Sequence, residues 1–287
     1  KTYDGTTAAD AGKFSAGLNN TVAGDSVTAT AAGATYNSKD VAGANTVNYT
    51  GVALGGADAG NYSLAAVAAQ GTGTITRRAL TFDAVAAQTK TYDGNTNADA
   101  AQFSATLGNI VTGEESLVSA TARGAAYNSK DVAAASTIDY TGVGLAGADA
   151  GNYTLAVGAA QGTGSITQRA LTLGTVAAQS KTYDGTRAAD ASKFSAALSN
   201  TIAGDSVTAT ATGAAYNDKN VAAANAVSYT GVALGGTGAG NYSIADTAQG
   251  KGTITKRALT LGTVTAQTKI YDGTIAADAG KFSAGLN

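Results

Sequence analysis

Tyr-Asp-Gly recurs four times, at Tyr3-Asp4-Gly5, Tyr92-Asp93-Gly94, Tyr183-Asp184-Gly185 and Tyr271-Asp272-Gly273, and the stretches between these marks repeat too. The intervals are 89, 91 and 88 residues. A chain with such a period folds as an array, so a side chain present in every copy is explained first by what one module needs to fold. Modules of this length can bury a small core of their own, which thin solenoid repeats cannot. The segment Ile75-Thr76-Arg77-Arg78-Ala79-Leu80-Thr81 returns as Ile166 to Thr172 and Ile254 to Thr260 and marks the borders. It divides the chain into residues 1–77, a module lacking its first strand, complete modules at 78–168 and 169–256, and a partial one at 257–287. Only two polar residues separate the last strand of one module from the first of the next, too few for a flexible tether. Modules are expected end to end as a rod.

Within a module the tyrosines form a ruler. Their spacings are 33, 13, 13 and 30 residues in the first copy, 35, 13, 13 and 30 in the second, and 33, 13, 13 and 29 in the third, which accounts for all 13 of them. A phenylalanine follows each first tyrosine by eleven residues, at Phe14, Phe103, Phe194 and Phe282. With so few large side chains available, these aromatics are expected to anchor the core.

Between them runs a period-two alternation in Ser26–Ala31, Thr46–Thr50, Asn61–Leu64, Thr74–Thr76 and Ala79–Phe82, the signature of half-buried strands. Gly24-Asp25, Gly55–Gly60 and Gln70–Gly73 read as turns and loops. The second copy has two extra residues at Gly113–Val118, an even change at a hairpin that leaves later side chains on their faces. The residue lost near Ala245-Asp246-Thr247 is expected in a loop or bulge. Around Phe14 the letters fit a helix capped by Asp10 or a strand through Phe14, Ala16 and Leu18; Gly12 and Gly17 tilt the reading to strand. The fold class expected is all-β, tandem Ig-like or β-grasp-like sandwich modules of about 90 residues.

Charged residues make up 13% of the chain and the net charge is −2, so no basic stripe exists for nucleic acid. The apolar runs are far shorter than the ~20 residues a spanning helix requires, so no membrane span is expected. Absence of His and Cys removes the common bases, thiol nucleophiles and imidazole ligands, and the only two glutamates are Glu114 and Glu115. The chain is not read as an enzyme. With no methionine, it reads as a segment of a longer array.

Lys1-Thr2-Tyr3-Asp4-Gly5-Thr6, Gly24-Asp25-Ser26-Val27, Lys39-Asp40-Val41, Gly56–Tyr62 and the closing Ile75-Thr76 with Ala79-Leu80-Thr81 resemble the YDG-type and related MBG-type repeats. These stand in tandem in very large secreted bacterial adhesins of the filamentous-haemagglutinin-like kind. The resemblance implies a β-rich extracellular stalk domain of a bacterial surface or biofilm-matrix protein. Where such repeats often carry proline at the border, this chain has Arg77, Gln168 and Lys256.

Tyr-Asp-Gly itself reads as a strand entering a turn, with Tyr3 packed inward, Asp4 bonded to nearby N–H groups and Gly5 at positive φ. A sharper reading gathers Asp4, Asp25 and Asp58 at a module end as oxygen ligands for Ca²⁺. Tyr49, Tyr140 and Tyr229 are candidates for stacking on glycans, with core packing as the plainer role. Lys39 and Asp40 read as a surface ion pair or turn contact rather than an amide cross-link. The function expected is a structural spacer that projects a binding region. The alternatives are avidity binding of glycan or matrix polysaccharide by the repeats, on a host or bacterial surface, and self-association into an extracellular filament.

Overall fold

The computed structural model describes residues 1–286 and divides the chain into two compact units, the first spanning Lys1–Thr167 and the second beginning at Gln168. Each is all-β; helix occurs among the described residues only as single 3₁₀ turns. Among the described residues no helix is long and apolar enough to cross a membrane.

Unit 1 holds two copies of the repeat. Repeat 1 contributes β1 (Thr28–Thr30), β2 (Gly33–Tyr36), β3 (Thr46–Thr50), β4 (Ala53–Gly55) and β5 (Ala68–Thr72). Repeat 2 contributes β6 (Arg78–Val85), β7 (Gln88–Thr91), β8 (Ala105–Gly108), β9 (Ser119–Thr121), β10 (Gly124–Tyr127), β11 (Thr137–Thr141), β12 (Gly144–Ala146), β13 (Tyr153–Leu155) and β14 (Ala159–Thr167). One sheet of repeat 2 runs β10-β11-β14-β7, with β7 parallel to β14 and the other pairings antiparallel. Opposite it, β6 lies between β13, its parallel neighbour, and β8, its antiparallel one. The layers enclose Phe103, Tyr127, Ile138, Tyr140 and Ile166, all buried. Phe103 lies between Phe82 and Tyr140, with ring centroids 6.1 and 4.7 Å away, so the aromatic ruler does anchor a sandwich-like core.

Unit 2 repeats the plan in β15 (Arg169–Ala170), β16 (Thr172–Val176), β17 (Gln179–Thr182), β18 (Ala196–Ser199), β19 (Thr208–Thr210), β20 (Gly213–Tyr216), β21 (Ala226–Thr230), β22 (Ala233–Gly235), β23 (Tyr242–Ser243) and β24 (Thr247–Thr255). Its core gathers Val176, Phe194, Tyr216, Val227, Tyr229 and Ile254. Beyond it, β25 (Leu261–Val264) and β26 (Ala284–Leu286) pair only with each other among the described residues.

Three local readings change. The glycine-rich Gln70–Thr72 and the copies of Gln70–Gly73 in repeats 2 and 3 are strand, not loop: β14 and β24 run straight through Gly162, Gly164, Gly250 and Gly252. Packed side chains and backbone leave no room for a Cβ there: on Gly164 it would stand 2.6 Å from Ile138 and 3.0 Å from Tyr127, and on Gly252 2.8 Å from Val227. Around Phe14 the chain is helix and strand in turn. Asp10, Asp99 and Asp190 each cap a 3₁₀ turn by accepting from a backbone N–H two residues on, and β8 and β18 follow in repeats 2 and 3. The Asn61–Leu64 segment is strand only where it has a partner, as β13 beside β6 and β23 beside β15. The two extra residues of repeat 2 fall in the turn before β9, and the residue lost from repeat 3 falls in the loop between β23 and β24.

Candidate functional site

Each Tyr-Asp-Gly turn is built around a lysine two residues earlier. Thr2 bridges in parallel to Thr76, which sends Tyr3 inward to full burial and Asp4 outward. Asp4 Oδ1 accepts the Thr6 N–H at 3.0 Å and the Thr6 hydroxyl at 2.9 Å, and Gly5 takes φ 78°, a left-handed conformation that other residues enter at a cost. Lys1 Nζ then donates to Asp4 Oδ1 at 2.6 Å and to the Thr6 carbonyl at 2.8 Å.

Lys90 repeats this with Asp93, Asn95 and Asn97, Lys181 with Asp184, Thr186 and Ala188, and Lys269 with Asp272, Thr274 and Ala276. Lys90 and Lys181 also lie over the faces of Tyr127 and Tyr216, 5.3 and 5.4 Å from the ring centroids. The Lys181 ammonium and the Thr186 N–H hold the Asp184 carboxyl down at about 2. An ammonium thus sits among the carboxylate and carbonyl oxygens of each turn.

Asp4, Asp25 and Asp58, the candidates of the sharper reading, each have a separate partner. Asp4 is held by Lys1, Asp25 accepts the Tyr62 hydroxyl at 2.6 Å, and Asp58 accepts the Ser26 N–H at 2.8 Å. Among the described residues no group of three or more His, Cys, Asp or Glu could hold a metal ion.

Of the two roles read for Tyr49, Tyr140 and Tyr229, core packing is the one that Tyr140 and Tyr229 take. Tyr140 and Tyr229 are 1% exposed, and their hydroxyls accept from Gln88 at 2.8 Å and Gln179 at 2.7 Å, so neither ring has a face to offer a sugar. Tyr49 is half-buried against Phe14 and lines a groove of about 760 Å³ together with Asp10, Val47 and Gly73. The equivalent positions of repeat 2, around Asp99, Tyr140 and Gly164, surround Gln88 of β7. The groove is therefore a strand slot of the fold.

What unit 1 does bring together is a joint between its two repeats. The buried Tyr3 ring meets Tyr153 edge-on, with centroids 5.3 Å apart and planes at 77°. Both hydroxyls donate to Glu114, Tyr3 to Oε1 at 2.7 Å and Tyr153 to Oε2 at 2.6 Å. Lys39 Nζ lies 3.5 Å from Oε1, 3.3 Å from the Tyr3 hydroxyl and 3.6 Å from Asp40. Beside them Asn152 accepts from the Val41 N–H at 2.9 Å and donates to Asp40 at 3.0 Å, while Arg77 donates to the Gly151 carbonyl at 3.1 Å. Beneath this polar lid one hydrophobic cluster is continuous from Tyr3, Ala44 and Ile75 of repeat 1 to Leu80, Val118 and Tyr153 of repeat 2.

Glu114 is only 9% exposed. Burial pushes its carboxyl up, but the two hydroxyls and the Lys39 ammonium outweigh that and hold it below the ordinary range. Burial, followed by the bond to Glu114, pushes both Tyr3 and Tyr153 to about 12. Chemically this is a satisfied charge network with no open nucleophile, suited to holding two surfaces together.

Sequence reasoning had the inward Tyr3, the Asp4 turn and the positive-φ Gly5. It missed the partners: Glu114, Asn152 and the lysine of Lys-Thr-Tyr-Asp-Gly. The signal for Asn152 was present in Gly-Asn-Tyr, which returns at Asn61, Asn152 and Asn241 beyond what a turn alone requires.

A family model described as YDG domain matches residues 1–70, 76–162 and 167–249, one match per repeat. No curated protein matches the chain, and no solved structure does.

Proposed function

The chain belongs to the YDG domain family, and on that premise we propose that it is a run of spacer repeats in the stalk of a secreted bacterial surface or matrix protein, setting a binding region away from the cell. The observation that carries this reading is the joint of unit 1. Its apolar cluster and charged lid pass from one repeat into the next, and a single residue, Arg77, lies between the Thr76 bridge and the first residue of β6. A spacer needs such a joint, because free hinges would let the tip wander. The buried tyrosines support it too, since side chains spent on the core are withdrawn from ligand binding. In this reading the repeats work by position, without catalysis and outside the cell.

The test is to remove residues 78–168 and compare maximum dimensions by small-angle scattering. A spacer shortens by about one module length, roughly 30–40 Å for strands of ordinary length. Unchanged reach on deletion, or saturable binding of the repeats on a glycan array, would overturn the proposal.

A further inference from the structure

The strand that carries Lys-Thr-Tyr-Asp is also where each repeat is tied shut. The chain enters repeat 2 through β6 and β7 and leaves it through β14. β7 pairs with β14 in parallel, Gln88 to Thr91 lying against Gly164 to Thr167. In repeat 3 β17 and β24 keep that register, with Gln179 to Thr182 against Gly252 to Thr255. Repeat 1 closes in the same way: the Tyr3 N–H donates to the Thr76 carbonyl at 2.9 Å and the Thr76 N–H to the Lys1 carbonyl at 2.8 Å.

Parallel pairing decides what tension does to these strands. A pull toward the N-terminus, passed on through β6, reaches the ladder at Gln88. A pull toward the C-terminus reaches it at Thr167, the opposite end of the same four pairs. The strands are drawn past each other along their length, and the ladder bonds share the force. Were they antiparallel, both pulls would act at one end and open the bonds singly.

Side chains on and beside the short strand resist sliding. Gln88, at its start, is buried and donates to the Tyr140 hydroxyl at 2.8 Å and the Asp99 carbonyl at 2.9 Å. Tyr92, just past its end, is fully buried, and Lys90 between them is tied to the turn that follows. Across the pair Thr89 Oγ1 lies 2.8 Å from Ser165 Oγ, and the Thr167 hydroxyl donates to the Lys90 carbonyl at 3.3 Å. Thr255 and Lys181 repeat the second of these bonds.

We propose that this strand pair is a tension clamp, the element whose rupture sets the force at which a repeat opens when the chain is pulled from its two ends. The inference rests on the spacer reading, because a spacer held at both the cell and its target is under tension. The two fail separately. Deleting a repeat reads reach, whereas pulling reads resistance, and a chain can shorten as expected while its modules open under little force.

The chain has no cysteine, so an introduced pair defines where force enters. Two versions of the full chain are pulled in optical tweezers through thiol-coupled handles. Ala79→Cys with Thr167→Cys draws the first and last strands of repeat 2 in the direction of the chain. Thr91→Cys with Thr167→Cys acts on two partners at one end of the ladder. All three positions are exposed, and both versions should keep the circular dichroism spectrum and urea midpoint of the unchanged protein. Forced unfolding is governed by the barrier to opening and not by equilibrium stability, so equal midpoints leave direction as the variable. The A79C/T167C chain should release roughly 300 Å in one step, at several times the force that opens T91C/T167C. Equal forces in the two directions, or a lower one end to end, overturn the proposal. Adding Gln88→Ala should lower the end-to-end force and leave the other unchanged, because Gln88 lies at the far end of the ladder from Thr91. An end-to-end force that ignores this change places the resistance in another part of the repeat and overturns the proposal too.

Discussion

Glu114 is the residue on which the joint of unit 1 turns, because a carboxylate this buried is tolerated only while its donors stay in place. Its carboxyl is held below the ordinary value of 4.5, so its contribution to stability is present above that pH and is lost as pH falls through the depressed value. Tyr3 and Tyr153 act in the opposite sense. Raised from 10.0 to about 12, they contribute fully below pH 10 and lose the contribution as pH climbs toward 12. Unfolding midpoints in urea should therefore hold level between these limits and fall at both ends. Because Asp4, Asp93 and Asp184 are also held low, part of the acid limb belongs to the turns. The part due to Glu114 is the difference from Glu114→Gln, which should flatten that limb and cost roughly 1.5–3 kcal/mol near neutrality. An unchanged acid limb in the variant would remove Glu114 from this role. The turn lysine makes a second prediction: Lys90→Met leaves Asp93 and two carbonyls without their shared donor and should cost about 1–3 kcal/mol by thermal or urea denaturation.

At the level of strands, alternation made part of the fold legible and glycine hid another part. Thr46–Thr50 and its copies alternate cleanly and are strands in all three repeats, because their inner residues Val47, Ile138 and Val227 are large enough to announce a buried face. β14 buries Gly162 and Gly164 on the same terms, but a strand whose inner face is glycine carries the letters of a turn. The space those side chains would fill is taken by Val85 and Tyr140 at Gly162 and by Ile138 and Tyr127 at Gly164, supplied from β6, β10 and β11, so the signal lies in other segments. Gly164→Val should therefore cost about 1–3 kcal/mol or more through overpacking, whereas Thr163→Val on the exposed face should stay within ~0.5 kcal/mol. Equal effects at the two positions would mean that the glycine is not packed as described. The joint was harder to read than any strand. Tyr3 and Glu114 are 111 residues apart, and Glu114 lies in the one copy whose turn carries two extra residues, so no pattern within a single module could pair them.

For the molecule as a whole, the consequence of the joint is cooperativity. In an array the stability of each repeat adds to that of its interfaces, and neighbours unfold together when the interface is strong compared with either repeat alone. Unit 1 meets that condition: the cluster holding Tyr3, Ala44 and Ile75 is the same one that holds Leu80, Val118 and Tyr153, so repeat 1 cannot open without exposing the interior of repeat 2. Hydrogen exchange should accordingly show the amides of β3 and β11 opening with one shared free energy in unit 1. Tyr153→Ala removes the ring against Tyr3 and one donor to Glu114, and should cost about 3–5 kcal/mol. Its more telling effect is that repeat 1 should then exchange independently, splitting one protection level into two. Tyr153→Phe keeps the ring and removes only the hydroxyl, so it should lower stability while leaving the two repeats coupled. If Tyr153→Ala lowers both levels equally and they stay together, the repeats are coupled by the β-strand connection at Arg77 rather than by the packed joint, and the charged lid is only a cover over it.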